Sequence, residues 1–316
     1  IAACFTIYFF FKKKYTILAY NLLHYLMSVV FITLINQNIT MKLTSKHINY
    51  LFLILITGTL LSCSSDDDET GTSGSTAVYF PLTLTNDWTY DVTTDDNTNP
   101  TTSTTDVITV DETTVINTKE YYGMSSSVGS SGTMTQLFDQ NYFRSEAGVF
   151  YTDGNFTLPL SNFGGTDIVI TLNEAKLIDD SKANGTVLEQ QSGTTTQNIG
   201  GYDLNVEYTF KTVQRETLNN HTVETVVYND IVKSDIILSV KVSTTVDIGV
   251  PINITLLDTQ DVLTITNFYA NGIGLIDSTS LFTYQLEDLS ALPITIPIPE
   301  TATITTTQRI SSYTLN

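Results

Sequence analysis

Cysteine is nearly missing from this 316-residue chain: Cys4 and Cys63 are the only two. A multi-bridge disulfide framework is therefore excluded, and stability has to come from an apolar core. Positive charge is also scarce, with 14 Lys and Arg against 33 Asp and Glu. Five of those cations, Lys12, Lys13, Lys14, Lys42 and Lys46, precede Asp66, the first acidic residue. A chain cut just before Cys63 would keep nine basic against 33 acidic side chains, a balance of −24. Such a field repels phosphate backbones and makes nucleic acid a poor partner. Histidine is limited to His24, His47 and His221. One histidine after the cut, with no free thiol, leaves no basis for most zinc sites or for Ser-His and Cys-His catalysis. No P-loop, HExxH or nucleophile elbow occurs. The residues imply no cofactor, no metal and no catalytic group.

What is present begins with two apolar stretches. Residues 1–40 are apolar around Lys12-Lys13-Lys14, and Tyr15 to Ile35 is just long enough to span a bilayer. We read residues 1–40 as sequence upstream of the true start, with a transmembrane helix as the competing reading. Met41 opens a more ordered pattern: Lys42 and Lys46, then apolar Tyr50 to Leu61, then Leu60-Leu61-Ser62-Cys63. Residues 41–62 have the layout of a secretory signal peptide. The closing four residues resemble the lipobox of bacterial lipoproteins. That resemblance implies lipidation of the Cys63 thiol, cleavage before it and acylation of the new amine. Two or three acyl chains hold a protein firmly where one does not.

The run Ser64-Ser65-Asp66-Asp67-Asp68-Glu69 follows at once. It resembles the export signal that carries Bacteroidota lipoproteins to the outer face of the outer membrane, and a plain acidic spacer is the alternative. The expected address is the cell outer membrane, lipid-anchored and surface-exposed, with a periplasm-facing orientation as the alternative. Residues 63–76 read as the lipidated cysteine and a flexible tether. Its 13 residues after Cys63 give a reach of roughly 20 Å.

The remaining body of about 240 residues carries strand signals throughout. Trp88-Thr89-Tyr90-Asp91-Val92 alternates with period two, and so does the run from Leu238 to Thr244. Further strand candidates include 106–110, 133–138, 149–152, 167–172, 202–213, 223–230, 252–257, 262–268 and 281–286. Asp153-Gly154, Gly164-Gly165, Asn184-Gly185, Gly200-Gly201 and Asn271-Gly272 read as turns. Residues 173–180 form a short helix or continue the strands. His221, after Asn219-Asn220, reads as a hairpin-loop residue. The fold expected is all-β: an antiparallel, strongly curved sheet or half-open β-barrel, because long strands without helices must manage their edges. A single β domain over 77–292 would be followed by a Pro- and Thr-rich terminal strand or tail over 293–316, with its prolines suited to an edge or extended segment.

Tyr79-Phe80-Pro81-Leu82 and Asn86-Asp87-Trp88-Thr89-Tyr90 resemble the opening of many Bacteroidota lipoproteins without assigned function. Thr85 stands where that pattern often has Gly. Residues 117–122, 143–151 and 268–276 resemble later landmarks of the same group. The resemblance implies a lipoprotein-carrier-like half-barrel, able to hold acyl chains in an apolar concavity, and no activity.

Trp88, Tyr90 and Arg144 are the ligand candidates. Core packing is the competing reading for the two aromatic residues, and a carboxylate or tyrosine partner for the arginine. Asp95-Asp96-Asn97 and Asp66-Asp67-Asp68 lack the spaced ligands of a calcium loop. Asp277-Ser278-Thr279 resembles a short O-glycosylation motif. Three readings follow. A non-catalytic envelope lipoprotein, held to the membrane by its anchor, binds an apolar or amphiphilic ligand or a protein partner. A glycan-binding accessory lipoprotein of a polysaccharide-uptake system would show a platform of aromatic rings. A carboxylate-dependent hydrolase would show two carboxylates across a cleft.

Overall fold

A computed structural model describes residues 75–97, 99–127, 129–139, 141–158, 165–247, 249–290 and 298–316. Cys63, the Ser64–Glu69 run and the segments 1–40 and 41–62 lie outside the described residues.

The chain is nearly all β. In order it forms β1 (Asp87–Asp96), β2 (Asn99–Ile116), β3 (Lys119–Ser126), α1 (Thr133–Asp139), β4 (Tyr142–Glu146), β5 (Val149–Leu158) and β6 (Ile168–Asp179). There follow β7 (Val187–Ile199), β8 (Tyr202–Val223), β9 (Val226–Asp247), β10 (Pro251–Ala270), β11 (Gly274–Gln285) and β12 (Thr301–Thr314). They make one 12-stranded sheet in the order β6-β5-β4-β3-β2-β1-β12-β11-β10-β9-β8-β7. Every neighbouring pair is antiparallel.

The sheet curls into a nearly closed barrel, and β6 and β7, consecutive in the chain, are its two edges. Side chains of β7 and β8 reach across to β6 and the residues before it. Gln197 Oε1 accepts from the Thr166 amide at 2.8 Å, Gln214 Oε1 accepts from the Asp179 amide at 3.0 Å, and Thr212 Oγ1 donates to the Lys176 carbonyl at 2.6 Å. Register shifts in the β9–β10 and β8–β9 pairs supply the bulges that bend long strands.

Alternation decides what lies inside. Trp88, Tyr90 and Val92 of β1, Ile108 and Val110 of β2, and Ile265 and Tyr269 of β10 are all buried. Phe80 centres an aromatic cluster, 4.6 Å from Trp88, 5.1 Å from Phe138 and 4.9 Å from Phe150 by ring centroids. Such offset and edge contacts add to the area that each ring buries.

Several expectations are corrected. Residues 133–138 are helical, not extended: Met134, Leu137 and Phe138 fall on one face and are buried in the core. The helix start is held by the buried Asp106, whose Oδ2 accepts from the amides of Ser131 at 2.9 Å and Gly132 at 2.8 Å, and from Thr135 Oγ1. Of the two readings of 173–180, the extended one holds, with residues 173–179 continuing β6. Asp153-Gly154 lies within β5, where the register with β6 shifts. His221 sits in β8, paired with Tyr228. Within 293–316, the expected terminal strand is β12, which lies between β1 and β11. The sequence pattern Thr301–Thr314 could not reveal that the last strand closes against the first.

The segment before β1 fixes the two ends of the barrel. Gly148 donates to the Ala77 carbonyl at 3.0 Å, and Gly272 to the Val78 carbonyl at 2.8 Å. The Val78 amide donates to Asn271 Oδ1 at 3.0 Å. The chain therefore enters beside the β4–β5 and β10–β11 turns, here called the proximal end. The β7–β8 turn, the end of β11 and the start of β12 mark the distal end. No helix among the described residues is long and apolar enough to cross a membrane.

Candidate functional site

Buried side chains of the strands share one core, and near the distal end they leave a space. There a cavity of about 90 Å³ lies between β5 and β7–β11. Leu204 and Val206 of β8, Val240 of β9, Leu256, Leu257 and Val262 of β10, and Ile199 at the end of β7 form its buried wall. Half-buried Val242, Phe282, Leu286 and Ile298 form its rim. These residues meet because inward positions of neighbouring strands align in register, as Leu204 does with Thr244 and Val206 with Val242. The crossing from β11 to β12 is pinned beside it: Leu286 donates to the Glu300 carbonyl at 2.8 Å and Glu287 to the Leu256 carbonyl at 2.9 Å. Tyr284 directs its hydroxyl away, to the Pro299 carbonyl at 3.2 Å.

Among the described residues no carboxylate lines the space. Its described lining is apolar. Drug-sized ligands need at least ~300 Å³, and an engineered cavity of ~150 Å³ takes benzene. The volume here suits the end of an aliphatic chain or one apolar side chain, and not a whole lipid.

The sequence candidates lie elsewhere. Trp88 and Tyr90 are fully buried, with Trp88 Nε1 donating to the Ile273 carbonyl at 2.7 Å and Tyr90 Oη to the Leu275 carbonyl at 3.1 Å. Neither touches the cavity. Arg144 projects from β4 beside Tyr151, its guanidinium 3.9 Å from that ring, and pairs with Glu146 and, at 3.2 Å, Glu174. The Lys119 ammonium, bonded to Glu174, holds that carboxyl below the usual carboxylate range. His221 stacks on Phe268 at 4.0 Å and its Nε2 lies 2.9 Å from Asp277 Oδ2. Ser278, in the glycosylation-like triplet, is buried and donates to Asn267 Oδ1 at 2.8 Å, which leaves it inaccessible to a glycan. Among the described residues no cluster of three His, Cys, Asp or Glu is set to hold a metal. The apolar cavity was not visible in the sequence, because its wall is drawn from six strands that only long-range register brings together.

The architecture defined by these strands is an all-β, nearly closed barrel. No protein-family model matches the chain, and no curated protein matches it. Two solved structures show a distant likeness. One is a lipoprotein candidate from Parabacteroides distasonis, 11% identical, covering 75% of this chain and 99% of its own, with a TM-score of 0.28. The other is an exported-protein candidate with a YmcC-like fold from Bacteroides fragilis, 9% identical, covering 75% of this chain and 100% of its own, with a TM-score of 0.25.

Proposed function

We propose that the chain is a non-catalytic lipoprotein of the bacterial envelope, anchored through Cys63, whose distal cavity receives an apolar group of a ligand or partner. The anchor reading rests on Leu60-Leu61-Ser62-Cys63 closing a signal-peptide pattern. The binding reading rests on one observation: a cavity whose described lining is apolar throughout, with a partly exposed rim, at the end of the barrel opposite Ala77 and Val78. An unfilled apolar hole forfeits dispersion contacts, so an apolar guest recovers them. The Ser64–Glu69 run favours the outer face of the outer membrane as the address.

The test is photo-crosslinking of the lipidated protein in vesicles with a diazirine-bearing alkyl chain added from water. Labelled peptides should contain Leu204–Val206 and Leu256-Leu257, and Leu257→Trp, which fills the space, should abolish that labelling. Equal labelling of both proteins, spread over the surface, would overturn the reading.

A further inference from the structure

Among the described residues eleven large apolar side chains are exposed, and six of them lie at the proximal end: Val78, Leu84, Val115, Val226, Val227 and Tyr313. Single exposed apolar residues are ordinary on a soluble surface. What stands out is their placement. Val115 lies just before the Asn117-Thr118 turn joining β2 to β3, and it is 71% exposed. Val226 and Val227 follow the turn joining β8 to β9. Leu84 sits in the turn before β1, and Tyr313 pairs with Trp88 at the close of β12. Val78 belongs to the segment clamped by Asn271 and Gly272. All six lie at the end of the barrel where Ala77 and Val78 bond to the β4–β5 and β10–β11 turns.

We infer that the proximal end is a membrane-resting face, which sets these tips into the interface of the bilayer that carries the anchor. The inference rests on the proposed acylation of Cys63. Eleven residues, 64–74, separate Cys63 from Ser75, so the anchor lies within about 40 Å of the barrel even when that chain is drawn straight. Tethering at such a distance turns weak surface contacts into intramolecular ones at high effective concentration. Apolar tips with one tyrosine suit the headgroup boundary, where an apolar body and a polar edge are both satisfied. The acidic balance of the chain argues against attraction by charge, so burial of the tips is the driving term. The distal cavity then points away from the membrane, toward whatever approaches from solution.

The test uses the full lipidated chain in vesicles of phosphatidylcholine and phosphatidylethanolamine. With Cys63 capped, Val115→Cys, Val227→Cys and the distal Val250→Cys each give one reactive thiol for an environment-sensitive fluorophore. Flotation with the vesicles reports the anchor. Probe emission, with and without nitroxide-labelled lipid, reports the face. The expected result is a several-fold rise and blue shift at positions 115 and 227, lost with the quenching lipid, and no change at 250. Floating protein with all three probes unquenched, or all three quenched alike, would overturn the face while leaving the anchor standing. Probes protected in whole envelopes but not in pure lipid would overturn it in favour of a protein partner. Failure to float would remove the anchor and the face together.

Discussion

Two tyrosines of the core predict opposite responses to the same one-atom deletion. Tyr90 and Tyr269 are both fully buried. The Tyr90 hydroxyl donates to the Leu275 carbonyl at 3.1 Å, whereas the Tyr269 hydroxyl has no hydrogen-bond partner among the described residues. Removing the first deletes a buried hydrogen bond, for a loss of about 1–2 kcal/mol. Removing the second relieves an unsatisfied polar group, for a change between zero and a gain of about 2 kcal/mol. The two Tyr→Phe variants should therefore differ by roughly 2–3 kcal/mol. With a urea dependence of ~3 kcal/mol per molar for a domain of this size, their midpoints should lie about 1 M apart. Trp88, the single tryptophan, is buried against Phe80 and reports unfolding by its emission. If Tyr269→Phe lowers the midpoint as much as Tyr90→Phe does, its hydroxyl has a partner and the reasoning is refuted.

Other outcomes follow from the same geometry. Gly154 has φ of 144°, and a Cβ there would collide with Asn141 Oδ1; Gly154→Ala should cost about 3 kcal/mol in thermal unfolding. Gly185→Ala, at φ of 86° with open space around it, should cost only about 1 kcal/mol. Asp106→Ala frees the amides of Ser131 and Gly132 and should cost about 3 kcal/mol. Its signature is faster amide exchange over residues 131–139, partly restored in Asp106→Asn; unchanged exchange would refute the role. Burial raises the phenols of Tyr269 and, with Tyr269 beside it, Tyr90, while burial with Asp180 and Asp230 pushes Tyr79 up to about 12. The unfolded chain loses these protons near pH 10 and the folded chain keeps them, so their contribution is full below pH 10 and is lost as pH rises above it. Melting temperatures should fall between pH 9 and pH 11; no fall contradicts the buried phenols.

The sequence carried the barrel because period-two alternation survives in Trp88–Val92 and Leu238–Thr244, where one face is wet. It hid α1 because Thr-Met-Thr-Gln-Leu-Phe-Asp is two turns long, too short for a period to show, although Met134, Leu137 and Phe138 keep helical spacing. The pattern's glycine at position 85 has a physical reason here: Thr85 adopts φ of 74°, a left-handed conformation that glycine reaches without strain. His221 was misplaced because Asn219-Asn220 is turn-like in composition, yet β8 runs on to Val223. The distal cavity depends on register across β7–β11, which no local pattern encodes.

Lipid anchoring carries the account of where this barrel works, and the mass of the mature chain tests it most directly. Intact-protein mass spectrometry on envelope fractions should show a triacylated species beginning at Cys63, lost in Cys63→Ala. A product that retains residues before Cys63 would contradict the anchor.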